Sequence, residues 1–313
     1  MIFSRNSREF RYSESVVISY SQNQEDVVLF RLAELIPKGF YVDVGAAHPI
    51  LDNVTYALYK AGWRGVNVEP MKLEADLLRE LRPRDVTYEV AAGNVEGQVV
   101  LYAAPVENRG ATTADQDLVA IYTSAGQTFE EFEVDVVRLD RILEENKVVT
   151  VHVLKIDVEG GERAVLDGVS LAKYRPWVLV IEATKPNSTE DVSSQWEEIV
   201  LEAGYSLTLF DGLNKFYVRN DMPEIRKLMS TPANVFDKWA PFEIDDLTQQ
   251  ALRLQETITR MSDNFSLELS ARDSQFSKAE EYALSLEVRA KRAEEYALSL
   301  EKKTLDENSK DAG

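Results

Sequence analysis

The stretch FYVDVGAAHP at residues 40–49 decides the fold class. Its first five residues, Phe40 to Val44, form a short apolar run that ends at Gly45 and is typical of a buried strand. Pro37 and Gly39 separate this run from residues 24–36, in which apolar side chains recur at helical spacing. The sequence therefore predicts a helix, then a buried strand that ends in a tight turn of small residues.

The same alternation continues along the chain. It predicts strands at 65–69, 86–91, 151–156 and 177–181, and helices at 53–61, 72–82, 161–166 and 196–203. Segments 206–210 and 215–218 flank the turn Asp211-Gly212 and predict a final antiparallel hairpin. Repeated strand–helix units predict a mostly parallel sheet with helices on both faces, in which ligands bind at the carboxyl ends of strands.

Two extended segments, 97–104 and 132–137, interrupt the alternation. They enclose a polar stretch that includes Thr112 and Thr113. A long polar connection of this kind is expected to form a lid or a substrate loop.

The composition excludes several classes of protein. The chain has 313 residues, 54 of them acidic and 35 basic, for a formal charge of -19, and it contains no cysteine. Disulfides, thiolate zinc sites and a cysteine nucleophile are therefore excluded, and the acidic balance disfavours nucleic acid as a partner. No apolar run reaches the roughly 18 residues of a membrane span, and the start shows no secretory signal. We expect a cytoplasmic protein that acts on a small-molecule or neutral partner.

Acidic residues stand at the ends of the first two predicted strands. Glu69 ends the second strand, where a carboxylate suits the two hydroxyls of a ribose. Asp43 precedes the first turn, where a carboxylate would repel a pyrophosphate but suits the cationic amino-acid end of S-adenosylmethionine. The turn has Gly45 and Ala46 but no G-x-G-x-x-G, so by itself it fits a plain tight turn equally well. A nicotinamide oxidoreductase is the alternative that Asp43 and the missing glycines disfavour.

Residues 20–219 resemble the FkbM family of S-adenosylmethionine-dependent methyltransferases. The matching pieces include YVDVGAAHP at 41–49, NVEP at 67–70, AAGN at 91–94 and LKIDVEGGE at 154–162. The resemblance implies a class I methyltransferase fold, Rossmann-like, with a seven-stranded mostly parallel sheet. It also implies O-methylation, often of sugars in surface glycans or secondary metabolites. Many members have Asn-x-Gly after the motif glycine, where this chain has Ala47-His48-Pro49.

The resemblance also implies a cofactor site for S-adenosylmethionine. Asp43, Gly45 and Ala46 would hold its methionine end, and Glu69 its ribose hydroxyls. Ala91 and Ala92 would leave room for the adenine, although ordinary strand packing explains them equally well.

The predicted catalytic residues are Asp157, Glu159 and His48. Asp157 and Glu159 end the fourth strand, and Asp157 would orient the acceptor oxygen, take its proton or hold the cofactor ammonium. A helix cap is the structural alternative for Asp157, and a loop cap for His48. Lys155 and Glu182 are expected to pair across adjacent strand ends. A divalent metal on Asp157, Glu159 and Glu182 is conceivable, but three carboxylates in so charged a chain are too common to predict one.

The last part of the chain has a different pattern. Leu247, Ala251, Leu254, Ile258, Met261 and Phe265 follow heptad spacing, and AEEYALSLE occurs at 279–287 and again at 293–301. We predict a flexible N-terminus at 1–19, a methyltransferase domain at 20–242, and a long coiled-coil helix with a frayed end at 243–313, through which the chain self-associates. A solvated single helix is the alternative for this tail.

The predicted activity is O-methylation of a sugar hydroxyl in a surface glycan or a glycosylated metabolite. The alternative is a coiled-coil scaffold that carries an inactive methyltransferase domain.

Overall fold

A computed structural model describes residues 16–103, 112–114, 116–124, 126, 128–185, 188–269 and 276–310. The chain divides into two compact units, Met1–Lys238 and Trp239–Gly313. Most of the predicted flexible N-terminus lies outside the described residues, and Val17–Ser19 within it form a short strand, β1. The predicted domain boundary at residues 242–243 stays a prediction.

The first unit is built on a seven-stranded mixed sheet with the strand order β10-β11-β9-β8-β2-β3-β4. Its strands are β2 (Phe40–Val44), β3 (Arg64–Val68), β4 (Val86–Tyr88), β8 (Val153–Ile156), β9 (Val178–Glu182), β10 (Tyr205–Phe210) and β11 (Asn214–Arg219). Strands β4, β3, β2, β8 and β9 run parallel, whereas β11 is antiparallel to both β9 and β10. The predicted antiparallel hairpin at the end of the sheet is confirmed.

A second, three-stranded sheet accounts for the segments that interrupted the alternation. It has the order β5-β7-β6 and comprises β5 (Ala91–Ala92), β6 (Gly97–Ala103) and β7 (Glu130–Val137). The single strand predicted at 86–91 is therefore wrong, because the chain leaves the main sheet after Tyr88 and Ala91 pairs with Val136 instead. Thr113 pairs with Tyr102 of β6, while residues 104–111 of the predicted lid lie outside the described residues.

The five helices predicted between the strands are present, some of them shorter than expected, and four further α-helices occur among the described residues of this unit. Together they are α1 (Glu25–Leu35), α2 (Tyr56–Lys60), α3 (Lys72–Leu81), α4 (Gln116–Ser124), α5 (Leu139–Glu145), α6 (Glu162–Asp167), α7 (Leu171–Tyr174), α8 (Glu197–Glu202) and α9 (Pro223–Leu228).

The central strands are buried on both faces, which explains their continuous apolar runs. Val42 and Val44 of β2 pack in one core cluster, and Tyr41 packs in the other. Because successive side chains of a strand point to opposite faces, Asp43 lies on the face of Tyr41. Its partner across the parallel pair with β8 is Lys155.

The order of the strands places a crevice in the middle of the sheet. From β2 the chain moves through β3 to β4 toward one edge, and from β8 to β9 toward the other. The direction therefore reverses between β2 and β8, and open sheets bind ligands beyond the carboxyl ends of the strands at such a point. Gly45 and Asp157 follow directly after these two strands.

The second unit contains two helices where one was predicted. After the short strand β12 (Trp239–Pro241), α10 (Phe242–Leu269) and α11 (Phe276–Lys310) pack against each other. The less exposed positions of α11 repeat at three and four residues and are mostly alanines: Ala283, Leu286, Ala290, Ala293 and Ala297. Small side chains at the contact let two helices approach closely, so α10 covers this stripe within the same chain. A coiled coil between chains is not established, and no described helix meets the length and apolarity that crossing a membrane requires.

Stability should fall between pH 5 and pH 8 because of Glu25 at the start of α1. Glu25 is buried and accepts a 2.6 Å hydrogen bond from Asn214 Nδ2. Burial, together with the charge of Asp211, raises its pKa to about 7. A carboxyl whose folded pKa is raised contributes stability below its unfolded pKa and loses it as pH rises through the folded value. Between pH 5 and pH 8 the free energy of unfolding should therefore decrease, and we expect Glu25→Gln to make this decrease smaller by about 3 kcal/mol.

Urea unfolding at pH 5 and pH 8 measures this difference. Glu224→Gln is the control, because Glu224 is exposed. An equal pH dependence in wild type and Glu25→Gln would contradict the prediction.

Candidate active site

The loop after β2 passes very close to the end of β8. Gly45 has φ +73°, and its N–H donates to Val68 O at 2.9 Å. A Cβ on Gly45 would lie 1.7 Å from the carbonyl oxygen of Asp157. Only glycine allows this approach. Gly45 therefore lets the ends of β2 and β8, which flank the crevice, lie in close contact.

Asp43 lies beneath this loop and is fully buried. Its Oδ2 accepts a 2.6 Å hydrogen bond from the Thr55 hydroxyl, and its Oδ1 lies 3.3 Å from Lys155 Nζ. The side chain therefore has no surface with which to touch a ligand. The direct charge contact that the sequence suggested for Asp43 does not fit this burial, because its charge is matched inside the protein.

Lys155 connects the loop to the strand ends. Its Nζ donates to Gly45 O and lies 3.4 Å from Asp157 Oδ2. Burial lowers its pKa, but the charges of Asp157 and Asp43 outweigh burial and hold the pKa above its ordinary value. The ammonium therefore stays charged. The pair with Glu182 predicted from the sequence is wrong, since the described ion pairs of Lys155 are with Asp43 and Asp157.

Arg82 continues this network, and the sequence analysis missed it. It is fully buried at the end of α3, where Nε donates to Pro49 O at 2.9 Å and Nη1 donates to Thr55 Oγ1 at 2.9 Å. Polar contacts therefore run from Arg82 through Thr55, Asp43 and Lys155 to Asp157. Neither Arg82 nor Thr55 belongs to a recognisable motif, so no sequence signal pointed to them.

Asn53 and His48 fix the shape of the loop. Asn53 donates to Ala46 O and His48 O, and its Oδ1 accepts from the N–H groups of Thr55 and Tyr56 at the start of α2. His48 Nδ1 accepts from the N–H groups of Ile50 and Leu51 at 3.1 and 3.0 Å. Nδ1 is therefore occupied as an acceptor, which places the proton of the neutral imidazole on Nε2. This geometry supports the cap role of His48 and argues against the predicted base.

Glu69 bridges the loop and the end of β3. It is 5% exposed, and its Oε2 and Oε1 accept from Ala47 N at 2.7 Å and Met71 N at 2.8 Å. Burial raises its pKa to about 7, although these two hydrogen bonds lower it. Each carboxylate oxygen has a second lone pair for a further donor. Glu69 therefore lies where it was predicted, at the end of the second strand of the alternation.

Ala91 and Ala92 form β5, next to β7 in the small sheet. Both are half-buried, and Ala92 packs against the core cluster that contains Val42 and Val44. This is the strand packing that the sequence analysis kept as an alternative, and a contact with adenine stays a prediction.

Three acids converge at the ends of β8 and β9, and we call Asp157, Glu159 and Glu182 the carboxylate cluster. One oxygen from each lies within 4.8 Å of the others. Burial, followed by repulsion from Asp157, raises the pKa of Glu159 to about 8 and that of Glu182 to about 10. The sequence pattern indicated these three acids as conceivable metal ligands, but it did not predict Glu182 as a site residue.

Two neighbours hold the turn that carries Glu159. The Thr113 hydroxyl donates to Glu159 O at 2.9 Å, which brings the predicted substrate loop to the cluster. Glu162, at the start of α6, accepts from Val158 N at 3.2 Å and Gly160 N at 3.1 Å. Glu159 itself has φ +52°, a conformation that few non-glycine residues adopt.

Comparison with known proteins gives one match to a family. The family model described as "Methyltransferase FkbM domain" matches residues 43–207, just over half of the chain. Among solved structures, the TehB-like SAM-dependent methyltransferase from Corynebacterium glutamicum ATCC 13032 Kitasato is similar over 62% of this chain and 87% of that chain, with 10% identity and a TM-score of 0.34. No curated protein matches the chain significantly.

Proposed function

Because the chain belongs to the FkbM methyltransferase family, we propose that it is an S-adenosylmethionine-dependent O-methyltransferase. Its acceptor is a hydroxyl of a sugar, in a surface glycan or a glycosylated metabolite. We assign the main sheet to the class I methyltransferase, Rossmann-like architecture. Five parallel strands and a final antiparallel hairpin support this assignment.

One observation carries the proposal: the ends of β2, β3, β8 and β9 meet around Gly45 with four acids beside them. Glu69 lies on one side of the loop, and the carboxylate cluster lies on the other. This arrangement fits a cofactor with a ribose diol and a cationic methionine end, and it does not fit a pyrophosphate.

The residues divide into a cofactor side and an acceptor side. When bound, S-adenosylmethionine supplies a methyl group on a positively charged sulfur. Glu69 accepts hydrogen bonds from the ribose hydroxyls, and the backbone of Gly45 and Ala46 lines the methionine end. Asp43 contributes indirectly, because it holds Lys155 and thereby the loop.

On the acceptor side, Asp157 orients the hydroxyl. The bound cofactor would supply the methyl group to the acceptor oxygen, and the Asp157 carboxylate would accept the hydroxyl proton. Positioning of the oxygen and proton transfer both lower the barrier. Glu159 and Glu182 lie beside Asp157 at this end of the sheet.

We expect Glu69→Ala to lower S-adenosylmethionine affinity about tenfold to a hundredfold. The variant removes a carboxyl that would accept hydrogen bonds from the ribose, a contribution of about 1.5–3 kcal/mol. Calorimetric titration measures it, with Glu69→Gln as the size-matched variant that keeps one acceptor oxygen and loses less. Equal affinity in all three proteins would remove Glu69 from the site. Binding of NADH without S-adenosylmethionine would refute the proposed function.

The acceptor can be identified in cells. Mass spectrometry of glycans and glycosylated metabolites, with and without this protein, should show one methyl group missing from a sugar hydroxyl when the protein is absent. An unchanged set of methylated sugars would contradict the proposed acceptor class.

We further propose that the helical unit self-associates. With α10 covering its alanine stripe, α11 still exposes Leu284 and Leu298, which occupy the same place in the 14-residue repeat. Light scattering should show that the combined change Leu284→Glu and Leu298→Glu lowers the molecular mass in solution. Ser285→Glu with Ser299→Glu adds the same charge to exposed positions and should not. A wild-type protein that is monomeric at high concentration would exclude self-association.

A further inference from the structure

We propose that the carboxylate cluster binds one divalent cation of the hard, oxygen-preferring class. The three ligands are Asp157 and Glu159, which follow β8, and Glu182, the last residue of β9. Binding of the ion is independent of the proposed function, whereas the role given to it below rests on that function.

The spacing of the ligand oxygens suits such an ion. One oxygen from each residue lies within 4.8 Å of the other two. Two oxygens on opposite sides of one ion are about 4 Å apart for Mg²⁺ and about 5 Å apart for Ca²⁺. The side chains therefore need only small movements to share one ion. All three ligands are carboxylates, which select hard cations over metals that prefer nitrogen or sulfur.

Burial gives a second and independent argument. Glu182 is 8% exposed, and its carboxyl has another acid, Asp157, as its hydrogen-bond partner. Oε2 of Glu159 is buried without a hydrogen-bond partner. A buried carboxylate without a donor is destabilising, so these oxygens need a cation or a proton. Both belong to residues whose oxygens converge on the same point.

The described cations near the cluster do not neutralise it. The ammonium of Lys155 lies 3.4 Å from the carboxylate of Asp157, but it also forms an ion pair with Asp43 at 3.3 Å. Glu162 adds a further buried acid whose oxygen is occupied by backbone N–H groups. The ammonium of Lys155 is therefore shared between the cluster and Asp43.

The cluster is also open on one side. The side chain of Asp157 is 37% exposed, so an ion bound there keeps coordination positions for water or for an acceptor oxygen. A coordinated hydroxyl has a lowered pKa and loses its proton more readily. In the proposed reaction the ion would hold the acceptor hydroxyl toward the methyl group, and Asp157 would hold the ion.

Titration of the full-length protein with MnCl₂, followed by calorimetry and by the electron paramagnetic resonance signal of free Mn²⁺, tests the inference. The wild type should bind one Mn²⁺, MgCl₂ should compete for it, and Glu182→Gln and Glu159→Gln should each weaken binding at least tenfold. Asp167→Asn is the matched control, because Asp167 lies nearby on α6 with a side chain that is 40% exposed. It should bind Mn²⁺ like the wild type.

Circular dichroism shows whether each variant is folded, and Asp157→Asn replaces any that is not. Absence of Mn²⁺ binding in the wild type, or equal binding in the cluster variants, would overturn the inference. S-adenosylmethionine affinity is measured on the same samples without metal. Cofactor binding without Mn²⁺ binding refutes the ion alone, whereas Mn²⁺ binding without cofactor binding refutes the proposed function alone.

Discussion

Asp157→Asn is expected to lower the methyl-transfer rate about a hundredfold or more while the protein stays folded. The side chain is partly exposed, and asparagine has nearly the same size, so the end of β8 keeps its packing. Lys155 retains Asp43 as its partner. The change removes the negative charge that would orient the acceptor and take its proton. Steady-state rates at saturating cofactor, together with calorimetric affinity, measure the two effects separately.

Two further variants serve as comparisons for Asp157→Asn. Asp167→Asn makes the same change on the surface of α6 and should leave the rate unchanged. His48→Ala removes the side chain that caps the turn at Ile50 and Leu51, so we expect cofactor affinity to fall more than the rate at saturation. If affinity falls with rate in Asp157→Asn, then Asp157 pairs with the cofactor ammonium. Normal rate and affinity would reduce Asp157 to a helix cap.

Gly45→Ala is expected to lower S-adenosylmethionine affinity a hundredfold or more. The new Cβ would lie 1.7 Å from Asp157 O, so the loop must move away from β8 by more than 1 Å. A displacement of about 1 Å is enough to lower a reaction rate about a hundredfold, and we expect a loss of similar size in cofactor affinity. Calorimetric titration with the cofactor measures the loss.

The control separates the clash from backbone strain. Gly212 also has a positive φ, +100°, but a Cβ there would meet nothing within 4 Å. Gly212→Ala therefore carries a backbone penalty of about 1–2 kcal/mol without moving a neighbour, and it should keep cofactor affinity. Wild-type affinity in Gly45→Ala would show that the loop does not form the cofactor site.

Much of the site follows from the sequence because parallel strands bring their carboxyl ends to one edge. An acid or glycine after a strand can therefore be placed without knowing the tertiary structure. Gly45, Glu69 and Asp157 were placed in this way, and the structure gathers them around one crevice. Their roles in binding and catalysis stay predictions.

The contacts of Lys155 and Arg82 could not be predicted in the same way. Lys155 pairs with Asp43 because β8 lies directly beside β2 in register, and a sequence does not state which strands are neighbours. The predicted pair of Lys155 with Glu182 assumed that these two side chains lie beside each other across β8 and β9. Likewise, the break after Tyr88 depends on pairing between Ala91 and Val136, which are 45 positions apart.

The tail shows the same limit. Heptad spacing identifies an apolar stripe but not the partner that covers it. Here α10 and α11 of one chain pack against each other. A stripe of alanines on α11 fits that contact, whereas the larger Tyr282 and Tyr296 are exposed.

The contact between Lys155 and the carbonyl oxygen of Gly45 spans 110 positions of the chain. During synthesis, β2 leaves the ribosome long before β8, which must take the place beside it. Synthesis proceeds at about 5–20 residues per second, so the edge of β2 that pairs with β8 stays unpaired for roughly 5 to 20 s. An uncovered strand edge invites pairing with other chains, so this interval is when the nascent protein most needs protection by chaperones. A fragment released before residue 155 would contain the glycine motif and Glu69, yet it would lack the lysine that holds the loop in shape.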